Sequence, residues 1–113
     1  MKDKAIELAQ RQLDAYNAKD IDAFLEVYSE DVQILDFPSN NLVYTGLEKM
    51  RERYAALFEQ NPNQNAALKA RIAHGSIVID HEYITGRANG IELEAVAMYE
   101  VIGDRIAKVW FIK

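Results

Sequence analysis

The sequence contains no cysteine, which excludes disulfide bonds, thiolate metal ligands and a cysteine nucleophile. It also lacks a long apolar run, whereas a membrane-spanning helix needs about 20 such residues. Charges interrupt the first residues, where a signal peptide would need an apolar core. We therefore expect a cytoplasmic protein that has no membrane partner.

Positive charge, glycine and proline are scarce as well. The 13 Lys and Arg residues against 18 Asp and Glu give a net charge of -5, which disfavours nucleic acid as a partner because that binding depends on neutralising phosphates. The five glycines are scattered, so no glycine-rich phosphate loop is present and we expect no cofactor. What is present, 50% apolar and 27% charged residues, is typical of a single globular domain over residues 1–113.

Three segments show helical periodicity. Residues 3–16 carry one apolar stripe at helical spacing. A second helix is predicted after Asp20, a good N-cap, with Tyr28 on its apolar face. The capping-box spacing of residues 45–48 predicts the start of a third helix, which residues 61–63 end.

The remaining segments alternate between apolar and polar residues, as strands do. Strands are predicted over residues 32–37, 68–74, 76–85, 91–101 and 105–112. The Asn-Gly pair at residues 89–90 and the Gly-Asp pair at residues 103–104 indicate tight hairpin turns, so these neighbours are antiparallel. The predicted order α-α-β-α-β-β-β-β defines an α+β fold.

A long antiparallel sheet twists and curls, so three amphipathic helices against one face give a cone-shaped domain with an internal pocket. Not all the apolar strand residues can point toward the helices. In particular Val78, Ile84, Val96 and Met98 cannot all face inward together with their neighbours. A second apolar sheet face follows, and we expect a homodimer through it.

Four stretches of the sequence carry a resemblance to known proteins. They are residues 16–24, residues 28–32 followed by Asp36, residues 44–48 and residues 103–111. Together with the element order, they make the chain similar to the nuclear-transport-factor-2-like superfamily, and within it to the SnoaL-like and ketosteroid-isomerase-like groups. The resemblance implies the fold of that superfamily, which hosts isomerases, cyclases, dehydratases, binders and interaction domains.

The resemblance to ketosteroid isomerase also suggests residue roles. That enzyme uses an aspartate base, with a tyrosine and a protonated aspartic acid as donors to the substrate oxygen. The base falls on Asp36, and two pocket tyrosines fall on Tyr28 and Tyr54. The donor tyrosine falls on Gln12 and the protonated acid near Ala97 or Tyr99, where the sequence has no carboxyl group. The resemblance therefore implies a retained base without the same donor pair.

The residues themselves also make Asp36 the leading candidate for a general base. Val32 and Ile34 on the same strand face are apolar, and desolvation on such a face raises the pKa of a carboxyl group. The alternative is a water-exposed aspartate at the end of a strand. Tyr16, Tyr54 and Tyr99 lie on different elements around one predicted cavity, where a hydroxyl can donate to a developing enolate oxygen.

The Asp80-His81-Glu82 cluster lies on a strand that is otherwise rich in isoleucine, and alternation separates His81 from the two acids. Either the acids or His81, a possible acid or base, enters the cavity, and the pattern leaves both open. A metal site with His74 is not expected, because no metal-ligand spacing is present. The predicted ligand contacts are Tyr28, Phe37, Phe58, Glu82, Tyr99 and Trp110.

Three functions remain open. The first is binding of a small apolar molecule, with cofactor-independent proton transfer if the protein is an enzyme. The second is a non-catalytic ligand-binding or protein-interaction module, which a cavity filled by Phe24, Phe58 and Trp110 would indicate. The third is a polyketide-cyclase-like or hydrolase-like enzyme, which needs His81 or Glu82 in the cavity.

Overall fold

Three helices form where the apolar periodicity predicts them in the computed structural model, which describes residues 2–112. They are α1 (Lys2–Ala18), α2 (Ile21–Glu26) and α3 (Leu47–Gln60). The stripe of α1 buries Leu8 and Leu13 because residues three and four apart share a helix face. Asp20 caps α2 as predicted, since its carboxylate accepts a hydrogen bond from the Ala23 N–H at 3.1 Å. None of the helices in this range is long and apolar enough to cross a membrane.

The second helix is shorter than predicted. It ends at Glu26, and Tyr28 already belongs to the first strand, where it pairs with Ile106. The Ile106 N–H donates to the Val27 carbonyl at 2.8 Å, so the last strand of the chain takes up the backbone that would have continued the helix. The placement of Tyr28 on the helix was therefore wrong.

The start of α3 also differs from the prediction. The Thr45 hydroxyl donates to the Val32 carbonyl at 2.9 Å, which leaves Gly46 as the N-cap without a side-chain hydrogen bond. The capping box does not form because the first strand competes for the same hydroxyl. The end of the helix is as predicted, with Asn61 as the C-cap.

Within residues 2–112, six strands form one curved mixed sheet. They are β1 (Tyr28–Phe37), β2 (Leu42–Thr45), β3 (Asn65–His74), β4 (Ile77–Thr85), β5 (Leu93–Ile102) and β6 (Arg105–Ile112), in the spatial order β2-β1-β6-β5-β4-β3. Only β1 and β6 pair in parallel; the other neighbours are antiparallel. β2 was not predicted, because a segment of four residues is too short to show alternation. With β2 included, the order of elements is α-α-β-β-α-β-β-β-β.

Two hairpin turns differ in how well the sequence predicted them. The turn at residues 103–104 is as tight as predicted, because Ile102 pairs with Arg105. The other connection spans residues 86–92 instead of a two-residue Asn-Gly loop. Its turn is closed by a hydrogen bond from the Gly90 N–H to the Arg87 carbonyl at 2.9 Å.

The alternation of β4 sets the two faces of the sheet. Its even-numbered residues from 78 to 84 are buried toward the helices, and its odd-numbered residues from 77 to 85 are half-buried on the outer face. The outer face carries one apolar row across five strands, in which paired positions hold Ile72, Ile79, Met98, Trp110 and Leu35. A second apolar face therefore exists; the homodimer through it stays a prediction.

The core lies between α1, α2 and α3 and the inner face of the sheet. Fully or nearly fully buried residues from both layers form it, among them Leu8, Phe24, Met50, Val78 and Ile106. Aromatic rings extend the core next to α3. The Phe24 and Tyr54 ring centroids are 4.6 Å apart, and those of Tyr16 and Phe58 are 5.5 Å apart.

Gly86 is required by its surroundings, so Gly86→Ala is expected to lower the free energy of unfolding by about 2 kcal/mol or more. Its φ is +78°, and an added Cβ would lie 2.0 Å from the Asn63 carbonyl oxygen. Gly90 is the matched control, because its φ is +77° but nothing lies within 4 Å of an added Cβ. Gly90→Ala should cost only about 1 kcal/mol. Equal shifts of the two urea midpoints would show that the contact with Asn63 does not matter.

Candidate functional site

A cavity of about 700 Å³ lies between the helices and the inner face of the sheet. Its walls are mainly apolar, and residues from all three helices and from five of the strands contribute to them. The apolar part includes Leu13, Phe24, Ile34, Ile84 and Phe111. Such a concave, apolar space with a few polar groups is typical of small-molecule sites.

Six of the predicted site residues lie together on the cavity wall. They are Tyr16, Tyr28, Asp36, Tyr54, Glu82 and Tyr99. They come from α1, β1, α3, β4 and β5, which the curvature of the sheet brings around one space. Asp36 is half-buried there near the end of β1 and is not directed away into bulk water. The roles predicted for these residues stay predictions.

Three predicted ligand contacts lie elsewhere, and the expectation for them is corrected. Phe37 is exposed at the end of β1, and Phe58 is buried behind the Tyr16 ring. Trp110 lies on the outer sheet face, where its Nε1 donates to the Asn40 Oδ1 at 2.8 Å. Neighbouring strand residues point to opposite faces, so Phe111 occupies the cavity side instead of Trp110.

His81, a candidate catalytic residue if it entered the cavity, lies outside it, so the structure takes the other of the two arrangements that the sequence left open. It belongs to the outer-face residues of β4, where its Nε2 lies 2.6 Å from the Glu94 Oε2. Val78 and Ile84 are buried in the core, and alternate residues of a strand share one face. The even-numbered residues of β4 therefore point inward, and His81 points outward. The two acids of the cluster therefore point inward.

Glu82 is the most unusual polar group of the cavity. The residue is 8% exposed, and its Oε2 has no hydrogen-bond partner among residues 2–112. Burial raises the pKa of this carboxyl group to about 7; the negative charge of Asp80 adds to the rise and the Arg71 cation opposes it. Near neutral pH the group can therefore both accept and release a proton.

A buried ion pair lies beside Glu82. Asp80 is fully buried and accepts two hydrogen bonds from Arg71, to Oδ1 from Nε at 2.7 Å and to Oδ2 from Nη2 at 2.9 Å. The Arg71 Nη1 donates to the Gln10 Oε1 at 2.9 Å. The pair neutralises Asp80 inside the core, as burial of a carboxylate requires. Arg71 was not predicted as a site residue. An arginine on the strand next to two inward acids could have indicated an ion pair.

Hydroxyl donors surround the inner end of the cavity. The Gln12 Nε2 donates to the Tyr99 hydroxyl at 3.0 Å, and the Tyr28 hydroxyl donates to the Gln12 Oε1 at 3.4 Å. Burial raises the pKa of Tyr28, Tyr54 and Tyr99 well above the usual value, so all three stay protonated and can donate. Gln12, where the resemblance placed a donor tyrosine, links two tyrosine hydroxyls.

Two arginines that sequence analysis did not single out also line the cavity. Arg53 is exposed, with its guanidinium carbon 4.6 Å from the Tyr44 ring centroid. Arg87 is half-buried beside the Tyr16 hydroxyl, and its Nε is buried without a hydrogen-bond partner in the described part of the chain. Arg87 lies in the loop after β4 and Arg53 among the charged residues of α3, and neither place has a sequence pattern that indicates a cavity residue.

Within residues 2–112, no group of three or more His, Cys, Asp or Glu side chains is placed to hold a metal ion.

These features define a class of protein, a cone-shaped α+β domain with a cavity between its helices and a curved sheet. The model of the SnoaL-like domain matches residues 9–109, and the chain belongs to this family of the nuclear-transport-factor-2-like superfamily. None of the curated proteins matches the sequence.

Several solved structures share this fold. An uncharacterised cystatin-fold protein from Novosphingobium aromaticivorans is 28% identical, with a TM-score of 0.86 over 96% of this chain and 97% of its own. A protein from Kribbella flavida, provisionally assigned as a ketosteroid isomerase, is 17% identical, with a TM-score of 0.81 over 98% and 78%. A provisionally assigned polyketide cyclase from Sinorhizobium meliloti is 17% identical, with a TM-score of 0.78 over 93% of each chain. The last two show the shared fold alone.

Proposed function

We propose that the cavity binds a small, predominantly apolar carbonyl compound and that Glu82 moves a proton on it without a cofactor. The observation that supports this most is the buried Oε2 of Glu82, a residue of the cavity lining, which has no hydrogen-bond partner among the described residues. An unsatisfied buried carboxyl oxygen costs free energy, which a bound proton or ligand donor would recover. The open cavity, which Phe58 and Trp110 do not fill, favours this proposal over an interaction module.

The proposed step is proton abstraction next to a carbonyl group. The carbon–hydrogen bond breaks, the proton goes to Glu82, and the electron pair moves onto the carbonyl oxygen as an enolate. The Tyr99 hydroxyl, which accepts a hydrogen bond from Gln12 and keeps its own proton, donates to that oxygen and stabilises the developing charge. Return of the proton to another carbon completes an isomerisation, and Glu82 is restored.

A cyclase reaction begins with the same step, since the carbanion would then attack a second carbonyl of the ligand. The inward position of Glu82 is the feature that the cyclase alternative requires. The provisional names of the Kribbella flavida and Sinorhizobium meliloti proteins include both chemistries. The shared first step can be tested without deciding between them.

Deuterium exchange tests this step. Wild-type protein in D₂O is expected to accelerate deuterium incorporation next to the carbonyl of at least one member of a panel of small cyclic ketones, followed by ¹H NMR. Glu82→Gln should slow this exchange about 100-fold, because the amide cannot accept the proton. Asp36→Asn is the matched variant, as Asp36 is the base that the sequence predicts.

The two variants give separable outcomes. We expect Asp36→Asn to keep at least a third of the wild-type exchange rate. If Asp36→Asn removes exchange and Glu82→Gln does not, the base is Asp36 and the role of Glu82 is refuted. Exchange that is undetectable with wild-type protein across the panel would contradict the proton transfer and leave a ligand-binding cavity.

A further inference from the structure

Arg87 is a cation of the cavity wall that has no carboxylate partner. No ion pair within residues 2–112 includes it, and its buried Nε donates no hydrogen bond there. A buried donor left without an acceptor costs about 1–3 kcal/mol. A ligand that supplies an acceptor at this position would recover that free energy.

The backbone around Arg87 is held on both sides, so the guanidinium starts from a defined position. Gly86 lies against the Asn63 backbone so closely that no side chain fits between them. On the other side, the Ala88 N–H donates to the Asn61 Oδ1 at 3.0 Å. Gly86 and Ala88, the residues on either side of Arg87, are thus both attached to the loop after α3.

The neighbours of Arg87 suit a carboxylate better than a phosphate. The guanidinium lies beside the Tyr16 hydroxyl, and together they offer a planar pair of N–H donors and one further donor. A phosphate dianion presents more oxygens and charge than these groups satisfy, and Glu82 affects the same Tyr16 hydroxyl electrostatically. A singly charged, planar carboxylate requires fewer donors.

The other acids on the cavity wall do not compensate Arg87. Glu94 is engaged by His81 on the outer side of the sheet. Glu82 forms no ion pair with Arg87 within residues 2–112. The cavity therefore has an unsatisfied cationic donor in one place and an unsatisfied carboxyl oxygen in another.

We propose that Arg87 binds the carboxylate of an apolar carboxylic acid, whose uncharged part lies along the apolar wall toward Glu82. This inference rests on the proposed small-molecule function of the cavity and names the class of its ligand, a keto acid when proton transfer follows. Arg87 would fix the orientation of the acid, and Glu82, which acts electrostatically on the same Tyr16 hydroxyl, would reach a carbon atom of the uncharged part.

Two matched probes test the charge requirement, 2-naphthoate and its neutral analogue 2-naphthamide, by calorimetric titration at about pH 6.5, where the acid is ionised. Wild-type protein is expected to bind 2-naphthoate about tenfold more tightly than 2-naphthamide. Arg87→Gln should remove this preference by weakening 2-naphthoate binding about tenfold while 2-naphthamide binding changes less than twofold. The unchanged amide affinity shows that the cavity of the variant is intact.

Arg51→Gln is the control, since Arg51 is exposed on α3 and pairs with Asp22 away from the cavity lining. It should leave both affinities as in wild type. If both probes bind and Arg87→Gln affects them equally or not at all, the carboxylate inference is overturned while the cavity proposal stands. If neither probe binds wild-type protein, the proposed small-molecule function fails, and the inference fails with it.

Discussion

Arg71→Met is expected to lower the free energy of unfolding by about 3–5 kcal/mol, because it leaves the fully buried Asp80 carboxylate without its counterion. Arg71 is only 14% exposed, so water cannot replace both of its hydrogen bonds to Asp80. The expected result is a large shift of the midpoint in urea denaturation at neutral pH. A loss below about 1 kcal/mol would contradict the role of the pair in the core.

Two further variants separate the pair from its individual charges. The double variant Arg71→Met, Asp80→Leu should recover most of the loss, since an apolar pair of similar volume can replace a buried ion pair. Arg51→Met is the surface control, because its 2.8 Å contact with Asp22 involves side chains that are 53% and 81% exposed. That change should cost less than about 1 kcal/mol.

Glu82→Gln is expected to stabilise the protein at alkaline pH relative to wild type. The pKa of Glu82 is raised from 4.5 to about 7 in the folded protein, so between these values the folded state binds more protons than the unfolded state. Stability therefore falls as pH rises through this window, by about 3 kcal/mol from this group. The glutamine variant lacks this titration and avoids the loss.

The measurement is the difference in unfolding free energy between Glu82→Gln and wild type, from about pH 4 to about pH 8. The difference should increase in favour of the variant by about 3 kcal/mol. The groups that act electrostatically with Glu82 are Asp80, Arg71, Tyr16, Tyr28, Tyr54 and Tyr99. Glu59→Gln, at an exposed position of α3, should change the difference by less than about 0.5 kcal/mol. A flat difference for Glu82→Gln would contradict the burial of its charge.

Both predictions concern the same feature, a pair of inward acids on β4 of which only one has a counterion. Asp80 is neutralised by Arg71, whereas Glu82 faces the cavity with an unsatisfied oxygen. Removing the Arg71 cation should raise the pKa of Glu82 further, because that cation opposes the effect of burial. The ion pair therefore both stabilises the core and adjusts the proton affinity of the candidate base.

Much of the site could be predicted from the sequence. Helical and strand periodicity located the elements that carry Tyr16, Asp36, Tyr54 and Tyr99, and the predicted cone brought them to one cavity. The alternation of residues 80–82 showed that either the two acids or the histidine would enter the cavity. It did not show which, since both faces of that strand carry isoleucine or valine.

Local patterns failed where distant segments compete for the same backbone or side chain. Tyr28 follows a helical pattern but pairs with Ile106, which lies 78 positions later. A prediction from neighbouring residues cannot include a partner at that distance. Thr45 has capping-box spacing, yet its hydroxyl bonds to the Val32 carbonyl of a neighbouring strand. In both cases a non-local hydrogen bond replaced the local one.

The sequence by itself determined the α+β class, the family resemblance and the absence of thiol chemistry, since these depend on composition and on periods within single elements. Only the tertiary structure decided that Glu82 enters the cavity, that His81 stays outside and that Arg87 reaches the wall. The physical reason is that the inward face of a strand is set by the packing of the whole sheet against the helices. The position of Arg87 on the cavity wall likewise depends on how the loop at residues 86–92 attaches to the end of α3.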